Sequence, residues 1–210
     1  MSLRFLYFDM GNVLLSFSHE RMCSQMAAVA GIDAETVRRI LFDETPEVRS
    51  LQWRFERGEL GTDAIYEAFC EAVGGRPERA ALYAAASDMF GELPESVALV
   101  RRLHAAGNRL GVLSNTNPVD FEFARERFPF LRECFELAVV SYEAREMKPH
   151  RAIYEYAARI AGVAPHEVFF ADDREENVVG AIEAGLDAVL FTSAAQLEAE
   201  LEARGVSIAD

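Results

Sequence analysis

Cysteine, positive charge and long apolar runs are all scarce in this sequence of 210 residues. The three cysteines, Cys23, Cys70 and Cys134, lie far apart without a CxxC pair, which argues against a disulfide framework and a cysteine-based zinc site. No apolar run approaches the ~20 residues of a membrane-spanning helix. The apolar segment 3–8 is interrupted at Asp9, well short of a signal-peptide core. We therefore expect a cytoplasmic protein.

Basic residues are outnumbered by acidic ones. The chain has 21 Lys and Arg against 35 Asp and Glu, a net charge of −14. This charge repels the nucleic acid backbone and anionic lipid headgroups, so we expect neither nucleic acid nor a membrane as a partner. A small anionic ligand would meet the same repulsion, so any phosphate site must carry local positive charge. Half of the residues are hydrophobic, enough for a substantial core.

Short apolar runs followed by polar residues and helical patterns predict a parallel α/β sheet. The predicted strands are 3–8, 109–113, 137–140, 168–171 and 188–191. Side chains at the carboxyl ends of such strands face the ligand crevice. Those ends carry Asp9, Ser114 and the pair Asp172 and Asp173.

About a hundred residues separate the first two strands along the chain, too many for one crossover. They read almost entirely as helix, with predicted starts near His19, Ala34, Pro46, Asp63 and Pro77. A further predicted helix at 94–106 returns to the sheet. We therefore predict a doubly wound, Rossmann-like core domain at 1–15 and 89–210 with an inserted all-helical cap at 16–88. An insertion at this point lies above the crevice, where it can exclude water and select substrates.

Four short motifs resemble those of the haloacid dehalogenase superfamily. They are the strand ending in Asp9 and continuing as DMGNVL, Leu113-Ser114-Asn115, Lys148-Pro149, and FFADD with Asn177. They occur in order and together span most of the chain. The resemblance implies that the inserted helices are the superfamily's cap. The Gly-Asn-Val pattern is similar to a branch that includes bacterial sugar-phosphate phosphatases of the glucose-1-phosphate type.

The resemblance implies that Asp9 attacks phosphorus and forms an aspartyl phosphate. It also implies that Lys148 neutralises the nucleophile and the transferred phosphoryl group, while Ser114 and the Asn115 N–H bind phosphate oxygens. An acidic pair beside Asp9 is costly without a cation, and Mg²⁺ prefers oxygen ligands. The implied Mg²⁺ ligands are Asp9, the Gly11 carbonyl, Asp172 and Asp173. We favour Asp173 as the direct ligand and Asp172 as binding through water.

Gly11 departs from the family pattern, because many family phosphatases have a second Asp at this position as general acid. Proton transfer of this kind contributes about 10²–10⁴-fold to the rate. A leaving group of low pKa needs less protonation, and a water or a cap residue such as His19 is an alternative donor. Gly11 and Asn12 both tolerate left-handed backbone, which would turn the Gly11 carbonyl toward the metal.

Substrate selection is expected in the cap, around Glu44-Thr45-Pro46, Arg49 and Trp53. Arg49 could pair with a second anionic group, and Trp53 could pack on a sugar face. Trp53 is equally compatible with simple packing of a cap helix.

The leading functional hypothesis is a Mg²⁺-dependent phosphatase acting on a small phosphorylated metabolite, with a sugar phosphate as one candidate. One alternative is a metal-independent 2-haloacid dehalogenase, although that branch usually has a Tyr where Gly11 stands. A second alternative is a phosphate-binding or regulatory module that turns over slowly because Gly11 supplies no acid.

Overall fold

The computed structural model describes residues 3–210, which form both strands and helices. The strands are β1 (Phe5–Phe8), β2 (Leu15–Phe17), β3 (Phe90–Glu92), β4 (Leu110–Ser114), β5 (Leu137–Val140), β6 (Val168–Asp172) and β7 (Asp187–Leu190). The helices are α1 (His19–Ala30), α2 (Ala34–Phe42), α3 (Leu51–Glu56), α4 (Thr62–Val73), α5 (Arg79–Ser87), α6 (Pro94–Ala105), α7 (Pro118–Arg127), α8 (Phe130–Glu133), α9 (Ser141–Ala144), α10 (Arg151–Ala161), α11 (Glu175–Glu183) and α12 (Ala194–Ala203). A short 3₁₀ helix covers Pro165–Glu167.

A parallel sheet forms the centre of the described chain, with five strands in the order β5-β4-β1-β6-β7. The predicted strands are confirmed to within two residues at each end. Strand β1 lies in the middle, and the chain turns to opposite sides of it to form β4 and β6. Ligands of open α/β sheets bind at such a reversal, beyond the carboxyl ends of the strands.

Both faces of the sheet are buried. In β1, Leu6 and Phe8 pack in one apolar cluster with residues of α6, α7 and α12. Phe5 and Tyr7 point the other way and pack with residues of α10 and α11. A strand buried on both faces reads as a continuous apolar run, which explains why its sequence predicted it so clearly. The doubly wound α/β fold with a helical insertion is therefore confirmed.

The inserted helices pack around an apolar cluster of their own. Helices α1, α2, α4 and α5 contribute buried residues that include Met22, Val37, Phe69 and Leu82. The chain enters the insertion through β2 and leaves it through β3, and these two short strands pair antiparallel. The predicted cap at 16–88 contains all these helices, and its boundaries stay a prediction. Met1 and Ser2 of the predicted core range lie outside the described residues.

The helix predicted near Pro46 is wrong, because residues 43–50 form an extended loop and turn. In that turn the Val48 N–H donates to the Thr45 carbonyl and hydroxyl oxygens. Helix α3 begins at Leu51, where the hydroxyl of Ser50 accepts the Trp53 N–H. A side-chain oxygen at this position satisfies an N–H that the first turn leaves unpaired, so the cap residue sets the start of the helix.

Two other predicted starts shift slightly. Helix α4 begins at Thr62 after Gly61, one residue before the predicted start at Asp63. The helix expected near Pro77 begins at Arg79, because the Glu78 carboxylate accepts the N–H groups of Ala80 and Ala81. Within residues 3–210, no helix has both the length and the apolar composition that crossing a membrane requires.

Candidate active site

Asp9 directly follows β1, between the ends of the neighbouring strands β4 and β6. Its backbone N–H donates to the Ala171 carbonyl at 2.9 Å, which extends the pairing with β6 by one residue. One carboxylate oxygen, Oδ1, accepts from the Met10 N–H at 2.7 Å and lies 2.8 Å from Lys148 Nζ. The second oxygen, Oδ2, accepts no hydrogen bond from residues 3–210. The side chain is thus oriented through one oxygen and leaves the other available.

Lys148 is a buried ammonium group shared by two carboxylates. Its Nζ lies 2.8 Å from Asp9 Oδ1 and 2.6 Å from Asp172 Oδ2. Its backbone is held by Asn115, whose side-chain oxygen accepts the Lys148 N–H and whose amide nitrogen donates to the Lys148 carbonyl, both at 2.9 Å. The side chain of Asn115 therefore positions Lys148, a role that the sequence did not indicate.

The acidic pair at the end of β6 divides into two different environments. Asp172 is fully buried, and both of its oxygens accept hydrogen bonds from the Asn177 amide, at 2.9 and 3.1 Å. Asp173 is partly exposed, and its Oδ2 accepts from the Asn12 side chain at 3.0 Å. Asp173 Oδ1 accepts no hydrogen bond from residues 3–210. Asp173 therefore has an oxygen available for a cation, whereas Asp172 is already engaged.

The donor set fits a hard divalent cation. Asp9, Asp172 and Asp173 each offer an oxygen, and these oxygens lie within 4.8 Å of one another. Oxygen ligands supplied by carboxylates suit Mg²⁺, which binds few protein groups and keeps several waters. With Lys148 among them, the three carboxylates carry two uncompensated negative charges, which one Mg²⁺ neutralises.

Burial changes the proton affinity of the site. Desolvation raises the pKa of Asp9 to about 6, and the positive charge of Lys148 opposes that rise. Burial alone lowers the pKa of Lys148, but the carboxylates of Asp9 and Asp172 outweigh it and raise that pKa above its ordinary value. Lys148 therefore stays charged at neutral pH, as neutralisation of the site requires.

A cavity of about 410 Å³ opens over Asp9. Its lining includes most of the predicted site residues, namely Asp9, Gly11, Trp53, Ser114, Asn115, Lys148 and Asp173. Asp172 lies beneath it, in contact with Lys148. Arg49 does not line it: this exposed residue pairs with Glu44 at 3.1 Å and stacks on Trp53 with its guanidinium 5.3 Å from the ring centre. Trp53 thus lines the cavity, whereas Arg49 does not.

The space beside Gly11 is filled by an aromatic ring. A Cβ atom on Gly11 would lie 2.9 Å from Cε1 of Phe17, closer than such contacts occur. Asn12 has left-handed backbone, with φ of 53°, whereas Gly11 does not. The expected left-handed conformation is therefore found at Asn12 alone. Phe17 occupies the volume that an acidic side chain at position 11 would need.

His19 lies on the cavity wall, with its ring 5.1 Å from that of Phe17 and 4.8 Å from that of Phe42 between ring centres. Desolvation between these rings lowers its pKa. The imidazole is therefore neutral at pH 7, and a neutral imidazole is a poorer proton donor than the charged form.

Two cavity-lining carboxyl groups were missed by sequence reasoning, Glu56 on α3 and Asp120 on α7. The pKa of Glu56 is raised to about 7, mainly by burial and also by the charge of Asp120, while the hydrogen bond from Gln52 opposes the rise. Burial also raises the pKa of Asp120 to about 6. Neither residue belongs to one of the four short motifs, so no local pattern distinguished them. Their importance depends on how the inserted helices pack on the core.

A family model described as hydrolase, haloacid dehalogenase-like hydrolase, matches residues 5–185. Pyrimidine 5'-nucleotidase YjjG of Escherichia coli (strain K12) is 29% identical over 126 residues, which are 58% of this chain and 55% of the nucleotidase. The matched region thus spans about half the length of that relative.

Solved structures share the fold across almost the whole chain. A structure from Porphyromonas gingivalis, described as a predicted HAD-like family hydrolase, has a TM-score of 0.79 at 23% identity and covers 96% of this chain and 98% of that one. The HAD family enzyme BT-2542 of Bacteroides thetaiotaomicron, solved with magnesium and inorganic phosphate, has a TM-score of 0.76 at 23% identity, covering 91% and 95%. L-2-haloacid dehalogenase from Xanthobacter autotrophicus has a TM-score of 0.63 at 20% identity, covering 98% and 84%.

Proposed function

Because the chain belongs to the haloacid dehalogenase-like hydrolases, we propose that it is a Mg²⁺-dependent phosphatase that hydrolyses a small phosphomonoester through a phosphoenzyme on Asp9. The observation that carries this proposal is the cluster of the Asp9, Asp172 and Asp173 carboxylates, two of which, Asp9 and Asp172, share the buried ammonium of Lys148. A buried cation between carboxylates suits a site in which a doubly charged phosphate must approach an anionic nucleophile. The magnesium and phosphate complex of BT-2542, which has the same fold, supports the same class of ligand.

Asp9 is the nucleophile in this proposal. Its Oδ1 is held by Met10 and Lys148, which leaves Oδ2 to attack phosphorus. The new O–P bond forms as the bond from phosphorus to the leaving-group oxygen breaks, and that oxygen takes a proton. Water then attacks the phosphorus of the aspartyl phosphate, which releases inorganic phosphate and restores the Asp9 carboxylate.

The remaining residues neutralise negative charge and orient the phosphoryl group. Lys148 neutralises Asp9 and the phosphoryl oxygens, while Ser114 and the Asn115 N–H donate to those oxygens from the end of β4. The ligands of Mg²⁺ would be Asp9, the Gly11 carbonyl and Asp173, with Asp172 binding through water. When bound, Mg²⁺ supplies positive charge to the phosphoryl oxygens as negative charge shifts during transfer.

A cavity of about 410 Å³ favours a small metabolite as the substrate. We propose that residues 16–88 act as the cap over the core formed by 1–15 and 89–210, and that Trp53 contacts the leaving group. Sugar phosphates and pyrimidine nucleoside monophosphates are the first classes to test, the second because of the nucleotidase relative. The buried thiols of Cys23, Cys70 and Cys134 fit a reducing compartment, so we place the enzyme in the cytoplasm.

The deciding experiment is a screen of phosphorylated metabolites and p-nitrophenyl phosphate, with Mg²⁺ and with EDTA. We expect turnover that EDTA removes and that Asp9→Asn abolishes. Turnover of the Asp9→Asn variant at the wild-type rate would refute the phosphoenzyme. Halide release from 2-chloropropionate that persists in EDTA would instead identify a dehalogenase. Phosphorylation of Asp9 without turnover of any ester would identify a phosphate-binding module.

A further inference from the structure

A phosphatase without an acid at Gly11 needs another proton donor for its leaving group, and this inference rests on the function proposed above. Glu56 is the cap residue whose carboxyl group lines the same cavity as Asp9. Its Oε1 accepts the Gln52 amide N–H at 2.8 Å, and its Oε2 accepts no hydrogen bond from residues 3–210. One carboxyl oxygen is therefore fixed by the protein, and the other is available to a substrate.

The position of Glu56 is tied to the phosphate-binding end of the sheet. The fully buried hydroxyl of Ser141 lies 2.6 Å from the Glu56 carbonyl and 3.0 Å from the Thr116 carbonyl, and it accepts the Thr116 N–H at 3.0 Å. Thr116 follows Ser114 by two residues, at the end of β4. One hydroxyl therefore links the end of α3 to the loop that carries the phosphate-binding residues.

The backbone just after Glu56 also lies directly on the core. Gly58 has a left-handed φ of 73°, and a Cβ atom there would lie 2.2 Å from the Tyr142 carbonyl oxygen. Only glycine permits this approach. The end of α3 thus has little freedom to move away from the cavity, and the carboxyl group of Glu56 keeps a defined place in its wall.

The surroundings of Glu56 raise the pKa of its carboxyl group into the neutral range. Its pKa is raised to about 7, chiefly by burial and also by the carboxyl group of Asp120, while the hydrogen bond from Gln52 and the guanidinium of Arg174 oppose the rise. Asp120 itself accepts hydrogen bonds on both oxygens, from Ser87 at 2.8 Å and from Asn117 at 2.6 Å. Asp120 is therefore engaged within the protein, and its charge acts on Glu56 from a fixed position.

We propose that Glu56 is the general acid and base of the reaction, a role that Gly11, which has no side chain, cannot perform. As Asp9 attacks phosphorus, the protonated Glu56 carboxyl gives its proton to the leaving-group oxygen while the P–O bond breaks. The resulting Glu56 carboxylate then takes a proton from the water that attacks the aspartyl phosphate. Release of phosphate leaves Glu56 protonated and Asp9 ionised, ready for the next turnover.

The test compares two aryl phosphates with different leaving groups, in Mg²⁺, for the wild type and Glu56→Gln. Phenolate is a poor leaving group that needs a proton, whereas p-nitrophenolate leaves unaided. We expect Glu56→Gln to lower kcat/KM for phenyl phosphate by about 10²–10⁴-fold, and for p-nitrophenyl phosphate by less than about tenfold. The control is Glu71→Gln, which changes an exposed glutamate of α4 outside the cavity lining and should leave both values unchanged.

The second half of the cycle gives a separate readout. Because the variant also lacks the base, its aspartyl phosphate should accumulate, with a burst of p-nitrophenolate equal to the enzyme concentration. Equal losses of kcat/KM for the two esters, or no loss for either, would refute the role of Glu56.

The wild type alone provides a check that does not depend on folding of the variant. Above pH 7, its kcat/KM for phenyl phosphate should fall with rising pH relative to that for p-nitrophenyl phosphate. Profiles that stay parallel would overturn the proposal for Glu56. Wild-type turnover that requires Mg²⁺ and disappears in Asp9→Asn supports the phosphatase whatever Glu56 does, and absence of any turnover refutes both proposals.

Discussion

Replacing Glu56 by glutamine is expected to change how the stability of the fold depends on pH. The variant keeps the shape of the side chain and an oxygen that can accept from Gln52, but it removes the titrating group. Glu56 has an ordinary pKa of 4.5 and a folded-state pKa of about 7. Its proton is therefore bound more tightly in the folded protein than in the unfolded chain.

The sign of the effect follows from this difference. Below pH 4.5 the carboxyl group is protonated in both the folded and the unfolded state, so it does not change the free energy of unfolding. Between pH 4.5 and about 7 the unfolded chain ionises first, so the folded state loses stability as the pH rises. Above pH 7 this loss of stability has reached its full size. One pKa unit corresponds to about 1.36 kcal/mol, so the difference between the two pKa values of Glu56 lowers the free energy of unfolding by about 3 kcal/mol. This figure is an upper one, because a partly exposed carboxylate keeps some of its hydration.

The assay is urea unfolding of the wild type, Glu56→Gln and the control Glu71→Gln at pH values between 5 and 8. Trp53, the single tryptophan of the chain, lies in the same helix and reports unfolding by fluorescence. The free energy of unfolding of Glu56→Gln should rise relative to the wild type by about 2–3 kcal/mol across this range. Other titrating groups cancel in the difference. A difference that stays constant with pH would refute the assignment of a buried, protonated carboxyl group.

Three further substitutions test the site itself. Lys148→Met should abolish turnover and, in Mg²⁺-free buffer, lower the free energy of unfolding by about 3–5 kcal/mol because it leaves buried carboxylates without their cation; unchanged urea unfolding would contradict this. Gly11→Asp should lower the free energy of unfolding by about 1–3 kcal/mol rather than improve activity, because the new side chain overpacks against Phe17. Adding Phe17→Leu to this variant should recover the lost stability. Asn12→Ala should raise the Mg²⁺ concentration for half-maximal activity about 10–100-fold, because Asp173 loses the group that orients it; an unchanged Mg²⁺ dependence would show that this bond is dispensable.

The sheet was predictable because burial on both faces leaves a clear trace in the sequence. Val168–Asp172, for example, is buried at every residue and is apolar up to the aspartate that enters the site. The loop at 43–50 was not predictable in this way, since Pro46 is compatible with a helix start and with a turn. In the structure, a hydrogen bond from the Ser50 N–H to the Glu44 carboxylate stabilises the turn, and the Ser50 cap sets the start of the helix after it. Side-chain contacts of this kind follow from the packed structure.

The residues of the site also differ in how well the sequence predicted them. Asp9 and the acidic pair belong to short motifs at strand ends, and Lys148 belongs to a short motif in the loop between α9 and α10. Their motifs therefore indicated where they meet. Glu56 belongs to no such motif. Its place in the cavity depends on Ser141, which is 85 residues away along the chain and joins α3 to the core. Residues contributed by the cap become visible only once the cap and the core are packed together.

The excess of acidic residues in the chain bears directly on how a phosphate ester can bind at the site. A net charge of −14 opposes the approach of a phosphate ester, and Lys148 alone does not reverse this because two carboxylates already share its ammonium. In the function proposed above, a divalent metal would remove the remaining negative charge of the site, so the same carboxylates that repel phosphate without metal would create its binding site with metal. Glu56 fits this balance, because a carboxyl group with a pKa of about 7 adds less negative charge to the cavity at neutral pH than an ordinary glutamate does, yet its protonated form can give a proton to the leaving group. The placement of the proton donor on the cap therefore separates acid catalysis from the charged centre on the core.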